Sequence, residues 1–101
     1  MYKVKITPII RTVYPKLMEK YENPIENHCD IELNKVYISE NAKMPVGFCS
    51  SAWEVIEPFV KKLAVGEGNF FDGWMKNPLS AFLSCNDGFR PVSFLVETII
   101  E

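Results

Sequence analysis

The sequence has a single histidine, three cysteines and no continuous apolar run near the roughly 18 residues that a bilayer-crossing helix needs. The missing run argues against a transmembrane helix and leads us to expect a soluble chain with no membrane partner. The first residues, Met1-Tyr2-Lys3-Val4-Lys5-Ile6, alternate charged and apolar side chains and lack the apolar stretch of a secretory leader. A cytoplasmic location is the resulting expectation. Cys29, Cys49 and Cys85 are odd in number and contain no C-x-x-C pair, so a disulfide framework is not expected. Basic blocks are absent as well. Eleven Lys and Arg are interspersed with thirteen Asp and Glu for a net charge of -2, which leaves nothing to neutralise a row of phosphates and argues against nucleic acid as a partner.

What the sequence does have is enough apolar material for one core: 48% hydrophobic and 24% charged residues over 101 positions. A chain of this length buries roughly two-thirds of its unfolded surface on folding. No repeat, low-complexity tract or linker divides it, so residues 1-101 read as a single domain.

Residues 3 to 10 alternate polar and apolar side chains as a half-buried strand does, with Pro8 implying an edge or a bend. Tyr14 to Tyr21 reads as a short helix, Pro15 at its first position and Leu17, Met18 and Tyr21 on one face. A long loop from Glu22 to Asn34 carries His28 and Cys29 and leads into a strand over Lys35 to Ser39. The main helix is signalled by a capping box, Ser51-Ala52-Trp53-Glu54, and an apolar face of Ala52, Val55, Ile56, Phe59, Val60 and Leu63, ending near Lys61, Lys62 and Gly66. Pro58 predicts a kink or two abutting pieces. Ala81 to Cys85 and Val92 to Ile99 flank Asn86-Asp87-Gly88 and read as a C-terminal hairpin around a tight turn. The expected fold is α+β: a small antiparallel sheet including this hairpin, with one main helix and one short one.

Cys49 is the leading chemical candidate. It stands one or two residues before the expected N-cap, where free backbone donors and the helix dipole favour a thiolate, the form that acts as nucleophile and metal ligand. Against this stands the tendency of free cysteine to serve as a small buried hydrophobe. Cys29, Cys49 and Cys85 with His28 match the ligand types of a structural zinc site, although only His28 and Cys29 are close in sequence and adjacent residues seldom face one metal. Three cysteines could equally hold an iron-sulfur cluster with one open iron. His28 could activate Cys49 as a general base. Arg90 and Asp87 could clamp a small anionic ligand or form a local ion pair. Phe70, Phe71 and Trp74, on a glycine-flanked connection, belong either to the core or to a pocket wall or homo-oligomer surface.

Two segments carry a resemblance. Pro45-Val46-Gly47-Phe48-Cys49-Ser50-Ser51-Ala52-Trp53 and Cys85-Asn86-Asp87-Gly88-Phe89-Arg90-Pro91-Val92-Ser93-Phe94 resemble an uncharacterised family of small prokaryotic proteins of about this length, with the pattern P-x-G-F-C-x-x-A-W and C-x-D-G-x-R-P-V-x-F preceded by a loop cysteine. The match spans residues 29 to 94. It implies that Cys29, Cys49, Trp53, Cys85, Asp87, Gly88, Arg90 and Pro91 matter, and that the thiols matter together; it implies no activity. Asp30 departs from the proline expected after the first cysteine, and Pro58 departs by interrupting the helix. Two functional expectations follow: a cysteine-centred site around Cys49 and Cys85, serving thiol or redox chemistry, a metal or an anionic ligand, or a non-enzymatic interaction module with separately buried cysteines.

Overall fold

The computed structural model describes residues 1-25 and 29-100. The chain runs β1 (Val4–Arg11), α1 (Pro15–Tyr21), β2 (Tyr37–Ser39), α2 (Ser50–Ala64), β3 (Ser80–Ser84) and β4 (Val92–Thr98). The four strands form one antiparallel sheet in the order β2-β1-β4-β3, with the β3-β4 hairpin at one side. This is the α+β architecture expected from the sequence. No helix among the described residues is long and apolar enough to cross a membrane.

Alternation fixes which face of the sheet is covered. Val4, Ile6 and Pro8 of β1 and Val92, Phe94, Val96 and Thr98 of β4 point to one side and are buried there. Against them α2 lays Ala52, Trp53, Ile56, Val60, Leu63 and Ala64. Of the expected helical face, Val55 and Phe59 are not part of this buried set, and Trp53 takes their place. The helix ends in a Schellman arrangement, with Gly66 N–H donating to Leu63 O and Glu67 N–H to Lys62 O while Gly66 holds a φ of 76°.

Several local expectations are corrected. β1 is an inner strand, and Pro8 is accommodated because β2 pairs only with Val4 to Ile6, leaving no strand on that side to require its missing N–H. The bend does occur, as a register shift against β4 between Pro8 and Ile10. The N-cap of α2 is Cys49 and not Ser51: Trp53 N–H donates to Cys49 O at 2.9 Å, and no side chain caps the helix. Helix α2 runs through Pro58 as one helix and not as two abutting pieces. That proline and Glu54, whose carbonyl it leaves unbonded, are both exposed, so water can satisfy the acceptor. Strand β2 begins at Tyr37 and not at Lys35. α1 forms where expected but buries none of its residues, Tyr21 being 67% exposed. Between Cys85 and Val92 the hairpin is closed by a broad loop, wider than the tight turn expected.

Candidate functional site: a cavity bordered by three cysteines

Three separate segments arrive at one place beside the start of α2. The first is the turn Pro45 to Phe48, closed by Phe48 N–H to Pro45 O at 3.2 Å with Gly47 at a φ of 78°. A positive φ at the third position of such a turn is what glycine supplies. The turn delivers Cys49 to the N-cap of α2, with Ser51 and Ala52 in the first helical turn. The second is the loop after β3, in which Asp87 Oδ1 accepts N–H bonds from Phe89 and Arg90 at 2.9 and 3.2 Å. That aspartate turn holds Cys85, Asn86, Asp87 and Arg90 in position. The third is the loop after α1, anchored where Arg11 Nη2 donates to Ile31 O at 2.9 Å and Asn34 N–H donates to Pro8 O at 2.7 Å. It contributes Cys29 and Ile31.

Together these segments enclose a cavity of about 180 Å³ whose floor is Val92 and Phe94 of β4. All three cysteines of the chain line it. Cys49 and Cys85 are half-buried and Cys29 is exposed. A second, wider hollow of about 460 Å³ adjoins it, bordered by Asp30, Glu32, Lys35, Tyr37, Gly47 and Ser50. Cys29, Ile31 and Cys49 line both, so the smaller, inner cavity and the larger, outer hollow share a border.

The cysteines share a wall without bonding. Each is a free thiol, and no two are at disulfide distance. Among the described residues no group of three or more His, Cys, Asp or Glu side chains is placed to hold a metal ion. The expected ligand set of Cys29, Cys49 and Cys85 therefore does not form a zinc or iron-sulfur site among the described residues; the three residues border one cavity. His28, the fourth ligand of that set and the general base considered for Cys49, lies outside the described residues. Cys85 Sγ accepts the N–H of Val92 at 3.3 Å, and Cys85 N–H donates to Val92 O at 3.0 Å, which fixes this side chain on the cavity rim.

Arg90 is a wall residue whose charge is already matched. Its Nη1 and Nη2 donate to the two oxygens of Glu22 at 2.8 and 2.7 Å, and Nε lies 3.5 Å from Asp87 Oδ2. The hydrogen bonds that Arg90 donates to Glu22 raise the guanidinium above its ordinary value; desolvation opposes them, and the charges of Asp87, Glu22 and Cys29 add to them. Arg90 thus stays a cation at every working pH. Nε is buried and has no hydrogen-bond acceptor among the described residues. The clamp for an anion expected of Arg90 and Asp87 is in this state a closed set of protein charges.

Trp53 is a core residue, edge-on to Phe48 with ring centroids 6.2 Å apart, and is not among the residues lining either cavity. The aromatic connection divides. Phe70 packs on Phe59 and against the core, whereas Phe71, 76% exposed, meets Trp74 at the surface. Sequence reasoning missed Glu22, Ile31, Ser51, Val92 and Phe94 as site residues. Only the last two carried a readable signal, as inward positions of an alternating strand.

No protein-family model, curated protein or solved structure matches the chain.

Proposed function

We propose that this chain is a small-molecule-binding protein whose ligand occupies the cavity beside α2 and contacts its thiols, Cys49 first. The observation that supports this reading is the gathering of all three cysteines, from three segments far apart in sequence, on one cavity wall. Separately buried packing cysteines would have no reason to meet at an opening. Cys49 leads because, unlike the exposed Cys29, it is half-buried where it borders both hollows, and its side chain caps no backbone group. Free first-turn amides of α2 are a natural neighbour for a polar ligand atom.

The family resemblance bears on the same place. Of the residues named in its two motifs, Cys49, Ala52, Cys85, Asp87, Arg90, Val92 and Phe94 all line the inner cavity. We propose that the pattern describes this cavity and that the chain is a member of that family.

The test is labelling of each thiol by iodoacetamide, followed by mass spectrometry, with and without small apolar compounds. Compounds that fit the cavity are expected to slow modification of Cys49 and Cys85. Identical labelling rates with every compound tried would remove the binding reading.

A second reading, a homo-oligomeric interaction module, draws on a different observation: α1 buries none of its residues and leaves Leu17 and Tyr21 exposed. Sedimentation equilibrium on the intact chain tests it. A dimer lost in Leu17→Glu would favour this module, and a monomer at all concentrations would dismiss it.

A further inference from the structure

Resting on the cavity-binding reading, we infer that the ligand is bipartite: an uncharged ring or short alkyl group of about benzene size in the inner cavity, joined past the shared border at Cys29 and Cys49 to a cationic tail in the outer hollow.

Size sets the first half. An apolar protein cavity of about 150 Å³ is enough to take benzene, and the inner cavity measures about 180 Å³ above Val92 and Phe94. Charge sets the rest. The only cation on the inner wall among the described residues, Arg90, has both terminal nitrogens on the Glu22 carboxylate, and Asp87 lies against its Nε. A carboxylate or phosphate entering there would have to displace Glu22 or face Asp87 unscreened.

The outer hollow differs in chemistry. Among the described residues, Asp30 and Glu32 border it against a single cation, Lys35, whose Nζ is 5.2 Å from the Tyr37 ring centroid. Because Cys29, Ile31 and Cys49 line both spaces, the outer hollow lies next to any molecule held in the inner one. An ammonium group on that extension meets an excess of carboxylate; an anion meets repulsion.

Three probes of equal ring size separate these terms: benzylamine, benzyl alcohol and benzoate, each titrated as a protectant of Cys49 against iodoacetamide, a neutral reagent. The expected order is amine, then alcohol, then benzoate. The amine should be about fivefold better than the alcohol at low salt, the effect of one exposed charge pair, with the gap closing as salt rises. The gap should also close in Asp30→Asn/Glu32→Gln, whose exposed side chains make the fold safe to alter. Equal protection by amine and alcohol, or benzoate as the best probe, overturns the bipartite ligand while leaving the cavity as a binding site. Protection by none of the three overturns both.

Discussion

The guanidinium of Arg90 and the carboxylate of Glu22 face each other through two parallel hydrogen bonds of 2.8 and 2.7 Å, across a sequence separation of 68 residues. Glu22 is the C-cap of α1, and Arg90 is in the loop between β3 and β4. Since α1 buries no residue of its own, this fork is a principal tie between the end of α1 and the body of the protein. Arg90→Lys keeps the charge but cannot make two parallel bonds, so it should lower the melting temperature nearly as much as Arg90→Ala. In a double-mutant cycle, Glu22→Gln added to Arg90→Ala should have much less effect than Glu22→Gln alone. Additive losses would show that the pair is not coupled.

The pH behaviour of that tie has one sign. Arg90 has its value raised in the folded state, so the stability it contributes is fully present below the unfolded guanidine value and is lost only as pH rises through the still higher folded one. Any loss of stability measured by chemical denaturation between neutral and moderately alkaline pH must therefore come from other groups. The check is that the wild-type-minus-Arg90→Ala difference stays flat across that window.

Much of the fold was legible in the sequence, because its signals are local. The alternation in β1 and β4, the period of α2 and Pro15 at the start of α1 each depend on residues a few positions apart. The start of α2 was misplaced for a physical reason. Ser51 and Glu54 form a valid capping box, but the turn from Pro45 to Phe48 already sets the chain on a helical course at Ser50. The cavity was less legible. Cys49 and Cys85 could be singled out, whereas the approach of Cys29 and Ile31 depends on Arg11 Nη2 reaching Ile31 O, and the neutralisation of Arg90 depends on Glu22. Neither contact leaves a mark in spacing.

Cys85 illustrates a thiol with a structural task beside its place on the rim. Its sulfur is the acceptor for Val92 N–H at 3.3 Å. Cys85→Ala removes that acceptor from a position where Val92 is itself buried. An unsatisfied buried donor costs about 1–3 kcal/mol, which denaturant unfolding resolves. Cys85→Ser, whose hydroxyl can accept the same bond, should recover most of the loss. Equal destabilisation by both would show that the sulfur's volume, and not its lone pair, is what matters.

The glycine between α2 and β3 with the least freedom is Gly68. A Cβ there would collide with the carbonyl oxygen of Pro78 and crowd Leu79, and the adjacent Asn69 N–H donates to that same carbonyl at 2.7 Å. Backbone cannot rotate aside as a flexible side chain can. Gly68→Ala should therefore destabilise by about 1–3 kcal/mol through forced separation of these two strands of loop. Gly73→Ala adds a Cβ into open space and pays only for its positive φ, so it should cost about 1 kcal/mol.

Phe94 joins the core to the cavity. It is fully buried, its ring lies 5.5 Å from that of Phe48, and it forms part of the inner floor. Phe94→Ala should cost about 3–5 kcal/mol, as large-to-small changes at well-packed aromatic positions do. Phe94→Leu should retain most of that stability while deepening the cavity. The two effects separate in the labelling assay. If the cavity holds an apolar head, Phe94→Leu should shift the best protectant of Cys49 towards larger rings without altering the labelling rate of the exposed Cys29; an unchanged size preference would place the binding head elsewhere.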